Sequence, residues 1–237
     1  MSETALREEL ALAYRILADL RLDDLTYTHL SARLPDSHYF FIYPFGLLFE
    51  EVTAASLLKV TLQGEVVEGS EYQYNQTGYV MHGCIYRNRA DLNAIFHLHT
   101  KDGVAVSAMK EGLLPISQWA LHFYDKVSYH DYNSLALTVA EHEKNLIDDL
   151  NKNKVMILRN HGTVTCGASI PEAFFYSYHL EKACQVQTCT LSSGGWIVPQ
   201  PAICKQANVD LLAFEKNLGE RDWQALKRKM HRKDSKI

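Results

Sequence analysis

An α/β fold, with a mixed and mainly antiparallel central sheet covered by helices, is predicted from three features of this sequence. Amphipathic helical stretches alternate with short β-branched and aromatic runs along the chain. Hairpin turns join those runs more often than crossover helices do, so a doubly wound, purely parallel sheet is not demanded. The 237 residues, 47% hydrophobic and 22% charged, are enough for one large domain with a well-buried core.

Leu6, Leu10, Ala13, Tyr14 and Leu17 recur at helical spacing with Arg7, Glu8, Glu9 and Arg15 between them, predicting an amphipathic helix over 3–21. "TYTHLSARL" and "HYFFIYP" read as strands separated by the turn Pro35-Asp36-Ser37. "LLKVTL" is a third strand, which turns at Gln63-Gly64 into "EVV". Residues 75–89 read as a helix, its start marked by Asn75 or Thr77, leading directly into the strand "AIFHLHT". "KDGVAVSAM" predicts a helix, "KVSYHDY" a strand, "TVAEHEKNLIDDLN" a helix and "KVMILRNHG" a buried strand ending in Gly162, with "TVTCG" continuing the sheet. Ser169-Ile170-Pro171-Glu172 is a capping box that opens a long helix toward Ser192-Ser193-Gly194-Gly195. After Pro199 and Pro201 comes a C-terminal helical stretch, "VDLLAFEKNLGERDWQALKRKM". Residues 1–195 are thus expected to form the main domain, and 196–237 a helical extension with a basic tail, packed on it.

A net charge of −4 gives no general attraction to nucleic acid or anionic membranes. No run of about 18 apolar residues exists, so no membrane span is expected. The start, "MSETALREELALAYRIL", lacks the basic and apolar regions of a signal peptide, and five cysteines without a C-x-x-C pair suit reduced thiols. A cytoplasmic protein is expected.

His97 and His99 sit near the end of a strand at i and i+2, a spacing that sends both imidazoles to one face while Phe96 and Leu98 pack on the other. A third histidine, His161, follows a second buried strand in "ILRNHG". Three histidines that leave a fourth position open are the arrangement of a catalytic zinc site. Spacing alone reads His161 equally well as a capping or core histidine.

Over about residues 5–195 the chain resembles the class II aldolase/adducin family, in "HLSARLPDSHYFFIYPFGLLFEEVTAASLLKV", "LNAIFHLHT", "GLLPIS", "YHDY", "ILRNHG" and "PEAFFYSYHLEKACQVQ". The resemblance implies that His97, His99 and His161 hold a divalent metal, usually zinc. It also implies a three-layer α/β fold and a homotetramer with active sites at subunit interfaces. Departures from the family pattern are informative. Sugar-phosphate aldolases of the family carry a metal-binding, acid/base glutamate where this chain has Gly78. Their phosphate cradle aligns with Thr28-His29, Phe45-Gly46 and Gln76-Thr77, of which only Gly46 is unchanged. A tyrosine donated by the neighbouring subunit aligns with Trp119.

General acid/base catalysis is worth about 10²–10⁴-fold, so glycine at 78 argues against a sugar-phosphate aldolase. The pattern instead resembles the adducin-like branch, in its stand-alone bacterial form. The function expected is a divalent-metal enzyme acting on a small hydroxy-carbonyl or 2-oxo-acid compound by aldol cleavage or related carbon–carbon chemistry. A metal-bound hydroxide, or a group such as His29 or a residue from the adjacent subunit, has to replace the missing proton carrier; Gly46, Thr77 and Gly78 are candidates for substrate contact. Two alternatives stand beside this: a catalytically inactive adducin-like scaffold, related to the cytoskeleton, and a non-haem iron oxygenase if Asp102 supplies a carboxylate. Arg33 shares a strand face with His29 and could approach the pocket. His130 and Asp131, adjacent on a strand, face opposite sides and make no catalytic pair. Cys166 reads as a small hydrophobe, and the basic residues from Lys227 to Lys236 as a solvated helix end.

Overall fold

The computed structural model describes residues 1–69, 73–133 and 139–235. Among them the strands are β1 His29–Ala32, β2 Tyr39–Ile42, β3 Leu58–Thr61, β4 Val66–Glu68, β5 Ala94–Leu98, β6 Val127–His130, β7 Val155–Leu158 and β8 Gly162–Gly167. They form one sheet in the order β4-β3-β2-β1-β5-β8-β7-β6. Only β6 and β7 pair in parallel, so the sheet is mixed and mainly antiparallel, as the turns predict. The helices are α1 Glu3–Asp19, α2 Gln76–Asn88, α3 Lys101–Ser107, α4 Gln118–Leu121, α5 Val139–Leu150, α6 Ile170–Leu191, α7 Pro201–Ala213 and α8 Glu220–Asp234. Thr138, the first residue of the predicted helix "TVAEHEKNLIDDLN", lies outside the described residues, as does Lys236 of the basic tail.

Strand register divides the helices between two faces. Leu30 of β1, Phe96 of β5 and Thr165 of β8 lie side by side. On that face Thr165 Oγ1 donates to the Ala173 carbonyl of α6 at 3.2 Å. The alternate residues His29, His97 and Val164 therefore point to the opposite face, where α2 lies. Helix α1 begins under a Ser2 cap and buries Leu6, Leu10, Ala13, Tyr14 and Leu17, the predicted stripe. Its Tyr14 hydroxyl donates to the Leu30 carbonyl at 2.5 Å and accepts from the Leu30 amide at 2.9 Å, which locks α1 to β1.

Three boundaries differ from the sequence reading, each for a local reason. The first strand is shorter than "TYTHLSARL" because Thr28 has φ +61°, outside the β region. The strand before "NHG" ends at Leu158, and Asn160, with φ +56°, makes the turn; Gly162 instead opens β8. The C-terminal stretch is two helices: α7 starts at Pro201, and Gly219, with φ +82°, precedes α8. The predicted solvated end is largely paired within the chain. Lys229 reaches Asp19 at 2.6 Å, Lys233 also bonds Asp19, and Lys227 bonds Glu9, all on α1. Trp223 is fully buried beside Phe174 and donates its indole N–H to Glu9.

Candidate metal centre

The end of β5 delivers His97 and His99 to one side of the sheet, and the β7–β8 turn delivers His161 beside them. One ligand nitrogen from each lies within 4.8 Å of the other two. Glycine at 162 makes this approach possible, since a Cβ there would sit 2.5 Å from the Leu98 carbonyl oxygen and 3.0 Å from the His99 ring. Beyond His99, Thr100 and the Gly103 amide both donate to the buried Glu181 carboxylate of α6, fixing the turn into α3. Burial pushes that carboxyl up from its ordinary range.

Hydrogen bonds set the protonation pattern of the pair. His97 Nδ1 is 3.1 Å from the Thr163 carbonyl, which only accepts, so the ring proton is on Nδ1 and Nε2 is bare. His99 Nδ1 donates in the same way to the Asp24 carboxylate at 3.0 Å. The two Nε2 atoms thus face each other, 2.9 Å apart, and a cation shared between them is one way of satisfying both. Burial, with His29 nearby, holds His97 well below the ordinary histidine range. Burial and then His99 lower His161 to about 4, so its lone pair is also free at neutral pH. Nitrogens from three imidazoles, two of the rings oriented by a carbonyl and a carboxylate, are a donor set that fits a divalent cation such as Zn²⁺.

His29 is the cross-strand partner of His97, with ring centroids 4.9 Å apart, and is 2% exposed. Its ring fills the space above Gly78: a Cβ at 78 would lie 2.9–3.0 Å from His29 Cδ2, Cγ and Nε2. His29 thus occupies the volume a side chain at 78 would need. A cavity of about 250 Å³ opens over the histidines, with His29, Thr28, Phe45, Asn75, Thr77 and Arg159 in its wall. Gly46, beside Phe45, has φ +104° and nothing within 4 Å of where its Cβ would be.

Other residues singled out by sequence have different surroundings. Arg33 turns to the end of α2, donating to the carbonyls of Tyr86, Arg89 and Leu92 at 2.9, 3.0 and 3.1 Å. Asp102 accepts from Thr188 Oγ1 at 2.5 Å and does not join the histidine cluster. His130 pairs with Asp149 at 2.7 Å rather than with Asp131, and both His130 and Asp131 border the cavity. Trp119 is partly exposed on α4. The Cys166 thiol is buried and pushed up to about 12, which keeps it an unreactive hydrophobe. Asp24, His82, Ser31 and Tyr86 escaped the sequence reading. An i, i+4, i+8 stripe of Gly78, His82 and Tyr86 on a helix facing a His-x-Ser-x-Arg strand was the signal available for three of them.

Comparison with known proteins identifies the surroundings of this centre. Residues 8–188 match the family model described as Class II Aldolase and Adducin N-terminal domain. A Caulobacter vibrioides protein that carries an aldolase class 2 name is 42% identical over 194 residues, covering 81% of this chain and 75% of its own. Mouse alpha-adducin is 47% identical over 198 residues, 81% of this chain but 26% of that longer protein. Among solved structures, an aldolase II superfamily protein from Pseudomonas syringae superposes with a TM-score of 0.90 at 41% identity, covering 98% of this chain and 94% of that one. An L-fuculose 1-phosphate aldolase from Glaciozyma antarctica gives 0.83 at 26% identity, covering 97% and 91%.

Proposed function

We propose that this chain, which belongs to the class II aldolase and adducin family, is a divalent-metal-dependent enzyme whose ion is held by His97, His99 and His161. Its substrate is a small hydroxy-carbonyl or 2-oxo-acid compound, and its reaction aldol cleavage or related carbon–carbon chemistry. The observation that carries this reading is the pair of Nε2 atoms 2.9 Å apart, each imidazole turned by a partner on its other nitrogen. What a divalent ion supplies when bound at such a centre is Lewis acidity, which polarises a carbonyl and stabilises negative charge developing on oxygen. The packing of the His29 ring over Gly78 supports His29 as the side chain that holds or moves a proton there. Phe45 and the uncharged Thr77 in the cavity wall, with Arg159 donating to the Met109 carbonyl, give little that would hold a phosphate, which argues against a sugar-phosphate substrate. Zinc as the ion, a homotetramer with sites at subunit interfaces and a cytoplasmic location complete the proposal. No helix among the described residues is long and apolar enough to cross a membrane.

Elemental analysis of freshly purified protein tests it, with His97→Ala and His99→Ala as controls in an activity screen over hydroxy- and oxo-acids. About one divalent ion per chain, lost in both variants together with turnover, is the expected result; wild-type protein without a divalent ion defeats the enzyme reading. The identity to alpha-adducin and the glycine at 78 favour a second reading, a scaffold that retains the fold without catalysis. It expects a metal-bound or metal-free protein with no turnover in the same screen. The iron oxygenase alternative draws no support, since Asp102 is engaged by Thr188.

A further inference from the structure

Beside the histidine cluster runs a buried polar chain that the metal does not require. On β1, His29 and Ser31 share one face; on α2, Gly78, His82 and Tyr86 form the stripe opposite. Tyr86 OH lies 2.8 Å from Ser31 Oγ, Ser31 Oγ 2.5 Å from His82 Nδ1, and His82 Nε2 2.9 Å from His29 Nδ1. All four residues are at most 2% exposed. Each contact in the chain joins two groups that can share one proton, so a single proton per ring satisfies it.

The far end of the chain fixes its direction. Ser31 Oγ is the hydrogen-bond partner of the Tyr86 hydroxyl among the described residues. Were Tyr86 not to donate to it, a buried O–H would go unpaired at about 1–3 kcal/mol. With Tyr86 donating, the Ser31 proton goes to His82 Nδ1. His82 then holds its proton on Nε2 and donates to His29 Nδ1, leaving the His29 proton on Nε2. That nitrogen lies on the ring edge away from His82, over Gly78 and at the cavity wall. The pattern is opposite to that of His97 and His99, whose protons are on Nδ1. A second feature of the same wall is an unpaired hydroxyl. Thr28 Oγ1 is buried without any hydrogen-bond partner, on a β-branched residue held at φ +61°. Such a conformation costs roughly 1–2 kcal/mol.

We propose that Tyr86, Ser31 and His82 hold His29 as an Nε2–H donor, which together with the Thr28 hydroxyl binds an anionic oxygen of the ligand at the metal centre and is thereby barred from ligating the ion. His82 and Ser31 are positioning residues for His29. The ligand clause rests on the metal reading above; the tautomer clause does not. The ligand class is a small carboxylate or enolate, with an oxygen carrying charge beside the ion.

Histidine-¹⁵N-labelled protein, with His29 and His82 assigned from His29→Gln and His82→Gln variants, reports each tautomer through long-range ¹H–¹⁵N correlations. Metal-free wild type is expected to show a protonated Nε2 and a bare Nδ1 on His29, and the reverse on His97. Ser31→Ala cuts the chain and Tyr86→Phe removes its direction, and both should shift His29 toward a mixture of tautomers. An unchanged melting temperature in Tyr86→Phe separates this from a general loss of packing. A His29 proton on Nδ1 in wild type, or a His29 pattern unchanged from wild type in both variants, overturns the chain. For the ligand, oxalate is titrated into zinc-loaded protein. The His29 Nε2–H resonance should move, and Thr28→Val should weaken oxalate binding about tenfold, the loss of one hydrogen bond to a charged group. An unmoved His29 resonance, or unaltered affinity in Thr28→Val, overturns the donor role. Failure of zinc uptake overturns the metal reading and the ligand clause with it, while the metal-free tautomer result stands or falls by itself.

Discussion

Asp24 touches only the outer nitrogen of His99, yet that contact decides which nitrogen faces the cluster. Removing such a partner costs about 10–100-fold in metal affinity. Asp24→Ala should therefore weaken zinc binding by that order in a chelator competition while leaving the melting temperature near wild type, since its side chain is 42% exposed. Equal affinity in both proteins would show that His99 orients itself. The Gly78–His29 contact makes a sharper case. Restoring the family's carboxylate by Gly78→Glu drives the new Cβ into the His29 ring, at an overpacking cost of about 1–3 kcal/mol or more. His29→Asn vacates that space. In urea titrations the double variant should be less destabilised than the sum of the singles by roughly 0.5–3 kcal/mol, and strict additivity would mean that the two positions do not compete for one volume.

The elements that were legible in the sequence are those whose periodicity is local. Helix α1 shows its stripe at i, i+3 and i+4, and α6 its cap and first-turn proline, so both were found close to their observed bounds. The split of the C-terminal stretch was less visible, because apolar residues run through both halves and Gly219 is the one strong break. Nor could the partner of α8 be read, since Lys227 and Lys229 meet Glu9 and Asp19 across almost the whole chain. That docking is expected to matter for stability. Trp223 is fully buried against Phe174, and truncating such a side chain to alanine costs about 3–5 kcal/mol. Chemical denaturation of Trp223→Ala should show a loss of that size; a change under 1 kcal/mol would mean that α8 is a loosely held appendage.

Across the molecule, the two histidine motifs could be read because each sits at the end of a buried strand, where a polar ring is conspicuous. The residues that orient them could not, because Asp24 and Thr163 reach their histidines only through tertiary contact. The same burial makes the whole protein sensitive to acid. His29, His82, His97, His122, His161 and His179 are all lowered from the ordinary 6.5, with burial as the first cause in each. Below 6.5 the unfolded chain takes up protons on these rings that the folded protein refuses, so stability is lost as pH falls. His161 stops contributing to the loss once pH passes its folded value of about 4. Each ring that discriminates fully adds about 1.4 kcal/mol per pH unit within its window. A bound divalent ion requires the same bare nitrogens at His97, His99 and His161, so its added stability vanishes over the same range. The melting temperature should thus be highest near neutrality and fall steeply between pH 6.5 and 4, more steeply with zinc than after chelation. A flat profile in the chelated protein would show that the buried histidines take up protons without unfolding, and a zinc-independent slope that the ion is held elsewhere.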